Sequence, residues 1–186
     1  MRNLLDHGTL TSEILVDTYL SRIAETNPTF HTVIELNQAA LEDARKLDQE
    51  RKEKGARSKL HGIPILVKDS ISVKDMDNTA GSVCLAGSRA KKESSVITRL
   101  RAAGAIILGK ANMSEWGNGR SSSKTASNGW SAVGNQTYGI YHLQQDPCGS
   151  SSGSAVAVAL GLAAGAVGVE VSSRVLLLIV DKLTCC

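Results

Sequence analysis

Ser94-Ser95-Val96-Ile97-Thr98-Arg99-Leu100-Arg101-Ala102-Ala103-Gly104-Ala105-Ile106-Ile107-Leu108-Gly109-Lys110 decides the class of fold. Val96, Ile97 and Leu100 recur at helical spacing, so residues 94–103 read as a helix. Gly104 ends it. Ala105-Ile106-Ile107-Leu108 is a continuous apolar run of strand length, closed by Gly109-Lys110. A helix joined to a buried strand by one glycine is the pattern of an α/β fold. Upstream, Gly62-Ile63-Pro64-Ile65-Leu66-Val67 is a second run fit for a buried strand, and Lys68-Asp69 stands at its end.

Around these strands the chain reads as helical. Residues 11–27 form a helix that Thr11 or Ser12 caps, with Ile14, Leu15, Tyr19, Leu20 and Ile23 as its apolar stripe. Asn27-Pro28 ends it. A second helix runs from about Gln38 to Lys54, with Ala39, Leu41, Ala44 and Leu47 inward and Gly55 as its stop. Residues 1–55 are thus expected to form an outer helical layer. From about Asn112 to Ser154 Ser, Gly and Asn dominate without sustained periodicity. So long an irregular stretch inside a compact domain points to function. Gly153-Ser154 then opens a small-residue helix expected to reach about Ala164. No internal repeat is present.

Composition narrows the function classes. The 186 residues suffice for one domain. Aromatics make up only 3%, so the core must be built from Ala, Val, Ile and Leu. The net charge of +3 comes with bases interleaved among acids, as in Arg51-Lys52-Glu53-Lys54. Such spacing makes no basic stripe for nucleic acid. Cys84, Cys148, Cys185 and Cys186 lack C-x-x-C spacing, and His7, His31, His61 and His142 lack ligand spacing. No metal site, cofactor or disulfide framework is expected. The first residues carry no apolar signal region, and the longest uncharged apolar run, 155–169, is shorter than the ~20 residues of a membrane span. A cytoplasmic protein is expected.

Three places could carry chemistry. Lys68 ends an apolar strand. If the strand is central, the ammonium loses solvation and can serve as a base; otherwise it is a strand-end lysine reaching water. Cys148-Gly149-Ser150-Ser151-Ser152-Gly153-Ser154 places hydroxyls and backbone N–H groups ahead of a helix, which suits an anion or a developing oxyanion; the alternative is a flexible linker. Gly104 to Ala111 nearly matches a phosphate-binding loop. It is rejected, because its middle is an apolar strand and Ala111 stands where magnesium needs a hydroxyl.

Four segments in order carry a resemblance. Leu60-His61-Gly62-Ile63-Pro64-Ile65-Leu66-Val67-Lys68-Asp69 resembles the lysine segment of the amidase signature family. Gly104 to Trp116 resembles its next block. Asn128-Gly129-Trp130-Ser131-Ala132 and Asp146-Pro147-Cys148-Gly149-Ser150-Ser151-Ser152-Gly153-Ser154-Ala155 resemble its serine-rich signature in a fungal or plant-like form. The similarity runs over about residues 8 to 170. It implies a partial amidase-signature fold, layered helices around a mixed sheet, with later strands missing. It also implies hydrolysis of small-molecule amides through a Ser-Ser-Lys triad. Lys68 matches the lysine, and Ser150 matches the middle serine, which follows a cis peptide bond in the family. Val171, Ser172 and Ser173 match the backbone N–H groups of the oxyanion hole.

The match then departs. Counted from Ser150, the nucleophile position falls on Arg174, in Gly168-Val169-Glu170-Val171-Ser172-Ser173-Arg174. Serines replace the two glycines of the family's turn. Ser173 is the remaining doubtful substitute nucleophile, one residue early. Residues 175–186 resemble nothing in the family. The expectation is therefore a partial domain over 1–174 with a divergent tail, a truncated or mis-spliced fragment without turnover. The alternative is a non-catalytic binding or regulatory remnant that associates with a full-length amidase.

Overall fold

The computed structural model describes residues 1–119 and 128–170. Its centre is a four-stranded mixed sheet in which the strands 33–36, 106–111, 64–68 and 165–167 lie side by side in that order. The elements follow as α1 (Arg2–Asp6), α2 (Ser12–Phe30), β1 (Val33–Leu36), α3 (Ala40–Lys54) and β2 (Pro64–Lys68). Then come α4 (Ser95–Ala102), β3 (Ile106–Ala111), the two-residue strands β4 (Trp130–Ser131) and β5 (Asn135–Gln136), α5 (Ser152–Ala159) and β6 (Gly165–Val167). β2 runs parallel to both β3 and β6, and β1 lies antiparallel on β3. The sheet is covered on both faces, which is why β2 and β3 read as unbroken apolar runs and are buried along their whole lengths.

The two faces have separate cores. Leu66, Ile106, Leu108 and Ala111 pack with Val16 and Ile23 of α2, Ala44 and Leu47 of α3, and Ala157 of α5. Val67 and Ile107 pack on the other face with Ile97 of α4, Ile71, Val73 and Met76. The register slips between the pairs Ile65–Ile107 and Leu66–Gly109, so Leu108 is an extra residue on β3. This bulge puts Lys110 beside Val67 and Ala111 beside Lys68. The two strand lysines therefore leave the sheet on opposite faces. Gly109 permits the close approach of β1, since a Cβ there would stand 2.5 Å from the Glu35 carbonyl oxygen.

Several expectations need correction. α2 does not stop at Asn27-Pro28 but continues to Phe30 with Pro28 inside it. Pro28 lies in the last turn, where it removes a single backbone donor. The Asn27 side chain takes over the turn, accepting from Thr32 N (2.8 Å) and Val33 N (2.9 Å) and donating to Val33 O (2.8 Å). The stripe of α2 is rotated by a residue: Ile14 is 53% exposed and Val16 is buried in its place. Likewise Ala39 is exposed and Ala40 faces inward. The first 55 residues are not purely helical, because β3 recruits Val33–Leu36 as an edge strand. The last helix ends at Ala159, and Gly165–Val167 adds to β2 as a strand. Gly161, at φ +68, is the stop that its Ala/Gly/Val surroundings concealed.

Candidate active site

β2 delivers Lys68 to the face covered by α5. The side chain is 2% exposed, so the reading of a lysine reaching water is overturned. Its Nζ donates to Ser150 Oγ at 2.7 Å and to the Val169 carbonyl at 3.3 Å. Burial pushes the Lys68 pKa down from 10.5 to about 8, and the negative charge of Glu170 opposes the shift. About one lysine in ten is then neutral at pH 7, and about half at pH 8.

Ser150 owes its position to a tightly bonded turn. Cys148 N donates to Asp146 Oδ1 at 2.7 Å, and Asn128 Nδ2 donates to both Asp146 oxygens at 3.1 Å. Ser152 Oγ donates to the Cys148 carbonyl. The Gly149–Ser150 peptide is cis. The Ser150 carbonyl accepts from Ser114 N at 3.1 Å, and Ser114 Oγ accepts from Gly129 N at 2.9 Å. The serine-rich loop is thus an ordered turn built into the site, and the flexible-linker reading fails.

Small residues then bring α5 against the strand. Gly153 N donates to the Asn112 carbonyl at 3.0 Å. A Cβ at Gly153 would lie 2.5 Å from Asn112 N, Asn112 O and Thr32 O, so only glycine permits this docking. Ser151 Oγ bonds both Val169 N and Val169 O at 3.1 Å, and Ser154 Oγ donates to Val167 O at 3.3 Å. The chain leaving β6 is held against α5 and passes directly over Lys68. Residues Val171, Ser172, Ser173 and Arg174 come next and lie outside the described residues.

A second polar centre lies on the other face, and sequence reasoning missed it. Lys110, wholly buried, donates to the carbonyls of Asp69 (3.1 Å), Ile71 (2.9 Å) and Asp77 (3.0 Å) and to Asn78 Oδ1 (3.0 Å). It also pairs with Asp69 Oδ1 at 3.5 Å. The Asp69 carboxylate accepts from Thr79 Oγ1 and from Gly81 N. Lysine inside a strand was the available signal. Among the described residues no group of His, Cys, Asp and Glu could hold a metal ion. Nor is any helix among them long and apolar enough to cross a membrane.

The amidase family model matches residues 14–174, most of the chain. The chain belongs to the amidase family. It is 46% identical over 169 residues to a protein named as an amidase in Arthroderma benhamiae, covering 90% of this chain and 28% of that one. A counterpart in Arabidopsis thaliana is 47% identical over 170 residues, covering 90% and 33%. The native peptide amidase of Stenotrophomonas maltophilia superposes with a TM-score of 0.83 at 47% identity, over 88% of this chain and 34% of that structure. This amidase-family chain therefore spans about a third of the length of its relatives. Its mixed α/β architecture is that of the amidase structures it matches.

Proposed function

We propose that Lys68 and Ser150 form the proton relay of an amidase-type hydrolase of carbon–nitrogen bonds, and that this chain, with Arg174 at the nucleophile position, does not itself turn over amides. The observation that carries this reading is the 2.7 Å contact between a buried lysine, with pKa near 8, and the Ser150 hydroxyl. Neutral Lys68 takes the Ser150 proton, and Ser150 takes one from a nucleophilic serine. That serine attacks the amide carbonyl, and the backbone N–H groups matched by Val171, Ser172 and Ser173 receive the oxyanion. The amine departs with the relayed proton, and water clears the acyl group. Small amides are the substrate class this reading names. Arginine offers no hydroxyl and stays protonated, so the relay has nothing to activate. Ser173, one residue early, is not expected to replace it.

A chimera tests the reading. Residues 1–170 are joined to the remainder of the Stenotrophomonas peptide amidase, which restores a nucleophile. Amide hydrolysis by the chimera, lost in Lys68→Ala and in Ser150→Ala, is the expected result. A folded but inactive chimera overturns the relay.

A second reading has its own support. β6 pairs only with β2 among the described residues, and an open strand edge invites another chain. The chain then acts as a non-catalytic remnant bound to a full-length relative, and co-purification of the two tests this.

A further inference from the structure

We infer that Ser150 is itself the acyl-accepting hydroxyl of this chain: with Lys68 it forms a Ser–Lys dyad that reacts with acylating and phosphonylating reagents bearing a good leaving group. The inference rests on Lys68 acting as a base, as proposed above, but gives Ser150 a different part. There Ser150 passes a proton on to a serine; here, with arginine at that serine's position, it attacks.

Three observations support the step. First, Ser150 is singled out among its neighbours. Ser151 Oγ is engaged by Val169 N and O, Ser152 Oγ by the Cys148 carbonyl and Ser154 Oγ by the Val167 carbonyl. Ser114 Oγ accepts from Gly129 N. Of these serines Ser150 is the one that faces an amine. Second, the amine is oriented. One Nζ proton is directed at the Val169 carbonyl, and Ser150 Oγ lies on another Nζ direction. A neutral amine there has its remaining valence free to turn onto the hydroxyl proton. Third, the hydroxyl can be reached. Ser150 is only partly buried. Among the described residues, a carbon added to Gly117 would touch Ser150 Oγ in ordinary contact at 3.7 Å, so the Trp116–Gly117 turn stands one small group away from the hydroxyl.

The chemistry balances without a further reactant. With an alkyl fluorophosphonate, Ser150 Oγ bonds to phosphorus, the P–F bond breaks and fluoride leaves. Lys68 takes the hydroxyl proton and later releases it to solvent. With an aryl ester, Oγ bonds to the carbonyl carbon, the aryloxide leaves with the ester C–O electrons, and water then releases the acid and restores Ser150. An amide is excluded because its amine leaving group needs a proton delivered in place and an organised oxyanion hole.

The test is an alkyl fluorophosphonate applied to the intact chain between pH 6 and 10, with the modified residue mapped by peptide mass spectrometry. The expected result is one phosphonyl group per chain, on Ser150. Its rate should rise through about pH 8 and then level off. The rate should fall about 100-fold or more in urea-unfolded chain and in a Lys68→Met variant that retains the parent circular dichroism spectrum, the scale of general-base assistance. Labelling of Ser173, no labelling, or labelling spread over many serines at the unfolded-chain rate overturns the inference. An unlabelled chain whose chimera still hydrolyses amides refutes the dyad and leaves the relay standing.

Discussion

Lys68 and Lys110 stand on neighbouring central strands, and both are buried, yet their surroundings give them different work. Lys110 is held by four oxygens at 2.9–3.1 Å and by the Asp69 carboxylate. Burial lowers its pKa and Asp69, Glu35 and Asp77 oppose that shift without reversing it; its bonds to four oxygens gather the 69–78 loop. Among the described residues Lys68 is bonded to Ser150 and the Val169 carbonyl, with no carboxylate paired to it, and burial brings its pKa to about 8 against the pull of Glu170. Lys110→Met should cost about 3 kcal/mol or more, because it leaves Asp69 and three carbonyls buried with their cation gone; urea denaturation checks this. Lys68→Met should do the reverse at neutral pH. The unfolded lysine titrates near 10.4 and the folded one near 8. Between those values the unfolded chain binds the extra proton, so the parent gains stability as pH rises across that window. The variant should therefore be the more stable below pH 8, and the difference should close by about pH 10.4; urea midpoints at several pH values read it directly. Lys68 was legible because it follows an apolar run and a family motif. Lys110 was not, because the bulge at Leu108 that turns it to the other face leaves no mark on the pattern of side chains.

Elements are positioned here by polar side chains more than by propensity. Asp48 of α3 accepts from Ser12 N (2.9 Å) and Glu13 N (3.0 Å), satisfying the first turn of α2 from across the helix pair. Asp48→Ala should cost about 1–2 kcal/mol, read from the thermal midpoint. Gly153→Ala should cost about 1–3 kcal/mol through overpacking. It should also move α5 off Asn112, so that Lys68 and Ser150 separate and phosphonylation slows even in chain that remains folded. The apolar runs at 62–67 and 105–108 and the helical periodicity of 94–103 were readable, whereas the continuation of β3 through Gly109, Lys110 and Ala111 was not. α5 was readable in type but not in length, since an Ala/Gly/Val run serves helix and strand alike until β2 selects the strand. β1 was hidden for a related reason: four residues carry too little pattern, and its partner lies far along the chain.

Taken whole, the chain spans about a third of the length of the amidases it matches, brings Lys68 and Ser150 together, and among the described residues its sheet ends at β1 and β6. Among the described residues each of these strands pairs on one side only. Exposed pairing groups and a partly covered β6 should make the isolated chain bind a hydrophobic dye and associate as its concentration rises. A clean monomer with a sharp high-temperature melt would contradict that. The central claim is narrower: we propose that Lys68 and Ser150 form the relay and that no nucleophile competent to cleave amides accompanies it. Restoring a serine by Arg174→Ser alone is accordingly expected to leave amide turnover absent, since the family's glycine turn and later segments are also needed. The direct measurement is product release from simple aryl and alkyl amides by the purified, unmodified chain. The account predicts none above buffer, with parent and Lys68→Ala indistinguishable. Steady turnover by the parent that Lys68→Ala abolishes would contradict it.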